Sequence, residues 1–81
     1  MFDFYFTFRT ITAAQRAAYA LMQYGLDAEF VRTPKALSSL GCGYAVRVNR
    51  SDATLAGMLF RRDGIRYERG VPLNGGSGGR A

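Results

Sequence analysis

Residues 2–8 alternate between phenylalanine and other side chains, and this pattern constrains the fold more than any other stretch. Successive side chains of a β-strand point to opposite faces, so period two with aromatic enrichment predicts a half-buried strand. The four phenylalanines are predicted to lie in the core, and the three residues between them point the other way. The two faces comprise Phe2, Phe4, Phe6 and Phe8, and Asp3, Tyr5 and Thr7.

An alanine-rich segment after this strand predicts the first helix. Thr12-Ala13-Ala14-Gln15 matches a capping box, with Thr12 as the N-cap residue and Gln15 at the third helical position. The helix is predicted to run to about Tyr24, and Gly25 supplies its stop. Its predicted apolar face consists of Ala14, Ala17, Ala18, Leu21 and Met22.

Two further strands are predicted on either side of a polar loop. Residues 27–31 read as a short strand with Ala28 and Phe30 inward, ended by Thr33-Pro34. Residues 44–48 read as the third strand. Its two predicted faces are Tyr44, Val46 and Val48, and Ala45 and Arg47.

A second helix and a last strand complete the pattern. Ser51 is a suitable N-cap, Asp52 suits the first turn, and Gly64 ends a helix that runs to about Arg62. Residues 65–71 form the last predicted strand. The side chains expected to point inward are Leu55, Met58, Leu59 and Phe60 of the helix, and Ile65 and Tyr67 of the strand.

The order β-α-β-β-α-β predicts an α+β, ferredoxin-like fold. Right-handed crossovers give a four-stranded antiparallel sheet with both helices on one face and strands one and three in the centre. Residues 1–72 form the single predicted domain, closed by Pro72. Residues 73–81 form a glycine-rich tail, which we expect to be flexible.

Composition limits the chemistry of these 81 residues. One cysteine cannot form an internal disulfide, and without histidine we expect no metal site and no cofactor. The absence of paired acids or a histidine base disfavours a self-sufficient hydrolase. A net charge of +5 favours anionic partners. The start lacks the pattern of a signal peptide and no apolar run is long enough to span a membrane, so we expect a cytoplasmic protein without membrane contact.

The strongest candidate for chemistry is Cys42, which lies between Gly41 and Gly43. Glycines permit a tight turn with little steric cover, and the predicted topology places this turn at the same sheet edge as the start of the first helix. A helix N-terminus and nearby cations both lower the pKa of a thiol. The other predicted members of the site are Thr12, Ser38, Ser39, Arg9, Arg32 and Lys35, with Arg61 and Arg62 nearby. The alternative is a small buried cysteine beside an ordinary turn.

Several of these features together resemble the selenium/sulfur carrier protein-like family of small prokaryotic proteins. The resemblance covers roughly residues 4–71 and is most specific at Pro34, the two serines, Cys42 and Gly43. Its other points are Phe8-x-Thr10 before an alanine-rich helix and Gly25-Leu26. The interval from proline to cysteine is one residue longer here than in the common family pattern, with Gly41 as the extra position.

The resemblance implies a carrier that holds sulfur or selenium on Cys42 as a persulfide or selenosulfide. Such a protein works with donor and acceptor proteins and is an accessory rather than a turnover enzyme. A competing hypothesis is a protein-interaction or regulatory module, such as a homodimer through the open sheet face, in which Cys42 is incidental. RNA binding is disfavoured, because Tyr5 alone is a poor stacking platform.

Overall fold

The computed structural model describes residues 3–33 and 43–73. Its elements, in chain order, are β1 (Asp3–Phe8), α1 (Ile11–Gln23), β2 (Ala28–Arg32), β3 (Tyr44–Asn49), a 3-10 turn (Arg50–Asp52), α2 (Ala53–Arg62) and β4 (Arg69–Leu73). The four strands form one sheet in the order β2-β3-β1-β4, and every neighbouring pair is antiparallel. This confirms the ferredoxin-like α+β fold, with strands one and three central. None of the described helices is long and apolar enough to cross a membrane.

The main core lies between the sheet and the two helices. Phe6 and Phe8 of β1 contact the ring of Phe60 edge-on, with centroids 5.0 and 5.8 Å apart. These three rings are almost fully buried, together with Leu21 and the valines of β3. Phe4 is half-buried against the same core, as the alternation of β1 predicts, whereas Phe2 lies outside the described residues.

The first helix begins at a different cap from the predicted one. The hydroxyl of Thr10 accepts a hydrogen bond from the Ala13 amide at 3.1 Å, so Thr10 is the N-cap residue and Thr12 is the second helical residue. The capping-box prediction was wrong because both Thr10 and Thr12 precede the alanines. The position where β1 ends determines that Thr10 is the N-cap residue. The predicted stop is confirmed: Gly25 has φ +86°, and the Leu26 amide donates to the Leu21 carbonyl at 3.0 Å.

The second helix is preceded by the 3-10 turn, so Ser51 is not its N-cap. Asp52 occupies that position without a side-chain hydrogen bond to the helix. Its C-terminal stop is confirmed at Gly64, which has φ +71°. The buried residues of α2 are Ala56, Leu59 and Phe60.

Three predicted core residues of the helices are exposed. They are Met22, at 52% exposure, Leu55, at 41%, and Met58, at 62%. Both helices carry apolar residues on more than one face, so the helical period of 3.6 residues is compatible with more than one buried face. Contact with the sheet selects the stripe that ends at Leu21 in α1 and the one through Phe60 in α2.

The two edge strands are displaced from their predicted ranges. β2 occupies Ala28–Arg32, and Phe30 is 36% exposed although it lies on the helix side, because an edge strand has a neighbour on only one side. β4 starts at Arg69, so Ile65 and Tyr67 precede it. Tyr67 nevertheless packs edge-on against Phe6, with centroids 4.8 Å apart.

Pro72 lies within β4 opposite Phe4, and the strand continues to Leu73. A proline is tolerated there because an edge strand leaves one row of its amides unpaired. The glycine-rich tail from residue 74 onward falls outside the described residues.

The opposite face of the sheet has a second, smaller cluster. Tyr5 and Ala45 are its buried members, with Val31 and Val71 packed against them. At one end of this face Arg47 donates to Glu29 at 2.8 Å and to Asp3 at 3.1 Å. The prediction that Ala45 and Arg47 share a face is therefore confirmed.

The burial of Tyr5 predicts a loss of stability at alkaline pH. Burial raises the pKa of the Tyr5 phenol above its ordinary value, and the Asp3 carboxylate adds to the rise. The unfolded chain therefore releases this proton first, so the contribution of Tyr5 is complete below about pH 10 and is lost as the pH rises through the folded-state pKa. We expect urea unfolding to show a shallower alkaline decline for Tyr5→Phe than for wild type. Tyr19→Phe, at an exposed position, is the control, and equal slopes for wild type and Tyr5→Phe would contradict the prediction.

Candidate functional site

The predicted thiol site is only partly contained in the described residues. Arg9, Thr12, Arg32 and Gly43 are placed by the structure. The other predicted members lie outside the described residues: Lys35, Ser38, Ser39, Gly41 and Cys42. The segments that lead into and out of this loop define the surroundings of the predicted thiol.

Those segments meet at one edge of the sheet. The last residue of β1, Phe8, is in register with the first residue of β3, Tyr44, which is in register with the last residue of β2, Arg32. One step further, the Thr33 amide donates to the Gly43 carbonyl at 3.1 Å and closes the base of the loop. Gly43, the residue bonded to Cys42, is exposed, and apart from its chain neighbours no described atom lies within 4 Å of where a Cβ would stand.

The N-terminus of α1 lies at this same edge, since the helix begins three residues after the end of β1. The Thr10 side chain satisfies the Ala13 amide and its carbonyl accepts from Ala14, which leaves the amides of Ile11 and Thr12 without a partner inside the helix. No acidic residue occupies the first turn. The positive end of the helix dipole at this edge is therefore not offset by a carboxylate in the helix itself.

The cations differ in their surroundings. Arg9 is 82% exposed and forms an ion pair with Glu68 at 2.8 Å, which offsets much of its charge. The guanidinium of Arg32 lies 5.7 Å from the centroid of the Tyr44 ring, which stacks on Phe30. Within the part of the chain that the structure describes, Arg32 contacts an aromatic face at this edge and forms no ion pair.

Arg62 does not belong to this group. Its guanidinium donates to the Tyr24 hydroxyl at 2.7 Å and lies over the ring of Tyr24, at the far end of α1. We call the sheet edge at the base of the cysteine loop the thiol edge. The expectation that Arg62 lies near it was wrong, because its side chain contacts the C-terminal end of α1, whereas the N-terminus of α1 lies at that edge.

Two threonine hydroxyls near this edge were missed by the sequence reasoning. The Oγ1 atoms of Thr7 and Thr33 are buried, and neither has a hydrogen-bond partner among residues 3–33 and 43–73. Thr7 is fully buried in β1, and Thr33 directly follows β2. Threonine is common in strands, so no sequence signal separated these two from ordinary packing residues.

The chain belongs to a family of small carrier-like domains. The described residues contain no group of three or more potential metal ligands, and the elements form a ferredoxin-like α+β domain with a glycine-flanked cysteine in the β2–β3 connection. The family model described as "Putative Se/S carrier protein-like" matches residues 3–71, which is most of the chain, and the chain is a member of that family. Neither the curated proteins nor the solved structures contain a match to it.

Proposed function

We propose that this protein carries sulfur or selenium on the Cys42 thiolate between a donor and an acceptor protein. The observation that carries the proposal is the meeting of the α1 N-terminus with the base of the cysteine loop at one sheet edge. A helix N-terminus stabilises a nearby anion, and Arg32 adds a positive charge at the same edge. Membership of the selenium/sulfur carrier-like family supports the same chemistry.

The transfer needs no cofactor. The Cys42 thiolate attacks the terminal sulfur of a donor cysteine persulfide. The bond between Cys42 and that terminal sulfur forms as the donor S–S bond breaks, and the donor cysteine sulfur leaves as a thiolate. A nucleophile of the acceptor then takes the outer sulfur and restores the Cys42 thiolate. With selenium, the product is the corresponding selenosulfide. Because the chain has one cysteine, no internal disulfide can compete with this cycle.

The residues on the opposite face of the sheet disfavour RNA binding. Tyr5 is 9% exposed and Thr7 is fully buried, so β1 offers bases no accessible stacking platform on this face. The strand register places two arginines on this face: Arg47 is paired with Asp3 and Glu29, and Arg69, opposite Thr7, is exposed. The net positive charge then leaves only a salt-sensitive phosphate contribution.

The test of the carrier function is sulfur uptake. Wild-type protein incubated with glutathione persulfide is expected to gain the mass of one sulfur atom, and Cys42→Ser is expected to fold normally and gain none. The alkylation rate against pH should give a thiol pKa below the ordinary value of about 8.5. Arg32→Gln should raise this pKa more than Arg9→Gln does, because Arg9 is already paired with Glu68. The carrier proposal would be contradicted if the native thiol alkylates no faster than the urea-unfolded chain and no sulfur adduct forms. The interaction-module hypothesis would then replace it.

A further inference from the structure

A cleft separates α2 from the segment that leads into β4. It consists of two adjoining cavities of about 410 and 380 Å³. Gly57, Arg61 and Tyr67 line both cavities. We refer to the two cavities together as the α2–β4 cleft. Arg61, which was expected near the thiol site, lines this cleft instead; among the described residues, no other member of the predicted thiol site lines it.

The glycine at the centre of this cleft has no packing role in the fold. A Cβ at Gly57 would meet only the Tyr67 hydroxyl, at 4.0 Å, although glycine is among the least favourable residues inside a helix. Gly70, on the other side of the cleft, is different: a Cβ there would lie 2.9 Å from the Phe4 ring, so the packing of that ring requires it. The space left by the absent Gly57 side chain is therefore open to a ligand.

The walls of the cleft combine apolar groups with unpaired positive charge. Phe4, Phe6 and Tyr67 supply aromatic surface, and Met58 stands 62% exposed at the rim. Arg61 and Arg66 supply two guanidinium groups, and within residues 3–33 and 43–73 neither forms an ion pair. No carboxylate of the described residues lines either cavity. Exposed methionine and aromatic groups beside arginines are typical of protein-docking surfaces.

From this juxtaposition we propose that the α2–β4 cleft binds an acidic peptide segment of a partner protein, with a large apolar side chain seated over Gly57 and carboxylates paired with Arg61 and Arg66. A peptide fits better than a small molecule because the two cavities share Gly57, Arg61 and Tyr67, and an extended chain rising about 3.3 Å per residue can pass from one cavity to the other. The proposal is independent of the chemistry of Cys42.

The experiment is fluorescence anisotropy with a labelled peptide that has one phenylalanine between pairs of glutamates. Gly57→Leu is expected to fill the cleft and weaken binding about tenfold or more, whereas Gly57→Ala should stay within about twofold of wild type. Thermal melts check folding, and both variants should be at least as stable as wild type because leucine and alanine favour helices. Cys42→Ser is expected to bind normally, which separates this result from the carrier test.

Neighbouring arginines supply the matched charge control. Arg61→Gln should weaken binding about tenfold, whereas Arg62→Gln should change it less than about twofold, because Arg62 is turned toward Tyr24. A control peptide with serine in place of phenylalanine should bind at least about tenfold more weakly. Equal effects of the two arginine variants, wild-type binding by Gly57→Leu, or equal binding of both peptides would overturn the proposal. The proposal would also be overturned if the peptide does not bind but the aromatic sulfonate ANS binds in a way that depends on Gly57. The ligand class would then be a small aromatic anion rather than a peptide.

Discussion

Phe60→Ala is expected to cost about 3–5 kcal/mol of the free energy of unfolding. The Phe60 ring is fully buried and contacts Phe6, Phe8 and Tyr67. Through these contacts it joins α2 to β1 at the centre of the sheet. A domain of this length has a total stability of about 4–12 kcal/mol, so the variant should lose much of its margin.

Urea unfolding followed by circular dichroism measures this loss. Met58→Ala is the matched control, since Met58 lies two residues earlier on the same helix and is 62% exposed. We expect it to change stability by about 0.5 kcal/mol or less. Equal losses of stability for the two variants would show that α2 does not bury the face that carries Ala56, Leu59 and Phe60.

Arg47→Met is expected to cost about 1–3 kcal/mol, because it leaves a partly buried carboxylate without its cation. Arg47 is 24% exposed and contacts Asp3, which is 19% exposed, at 3.1 Å. Its second contact, with Glu29 at 2.8 Å, is weaker in effect because Glu29 is 59% exposed and screened by water. The hydrogen bond with Glu29 raises the pKa of Arg47 further above its ordinary value, so the cation persists wherever the protein is folded.

A double-mutant cycle with Asp3→Asn isolates the buried part of this network. Arg47→Met should cost less in the Asp3→Asn background than in wild type, since the carboxylate that it abandons is no longer charged. Arg9→Met is the exposed control: its pair with Glu68 is 82% exposed on the arginine side, and we expect a loss of about 0.5 kcal/mol or less. Additive effects of Arg47→Met and Asp3→Asn would contradict the assignment.

The cleft and the thiol edge offer two separate surfaces on a small domain. The thiol edge is formed by the last residues of β1 and β2, the first residue of β3 and the start of α1, whereas the cleft lies between α2 and β4. If both proposals hold, a partner could dock at the cleft while sulfur passes at the edge. The independent variants, Cys42→Ser and Gly57→Leu, allow each part to be removed alone.

The sequence by itself determined the order of elements, the central place of β1 and β3, and both helix stops. These depend on local chemistry: the alternation of Phe4, Phe6 and Phe8 requires a strand, and Gly25 and Gly64 adopt the positive φ that other residues avoid. Cys42 was also identified from its glycine neighbours, and its role as a carrier thiol stays a prediction.

Only the tertiary structure decided which apolar stripe of each helix is buried, which threonine caps α1, and where the edge strands lie. Leu55 is the same residue type as Leu59, and Met58 is also apolar, so the exposure of Leu55 and Met58 depends on contact with the sheet rather than on residue type. Pairing with β1 likewise sets the start of β4 at Arg69. The α2–β4 cleft could not be predicted from the sequence for the same reason, since Gly57 and Tyr67 come together only when the segment before β4 packs against α2.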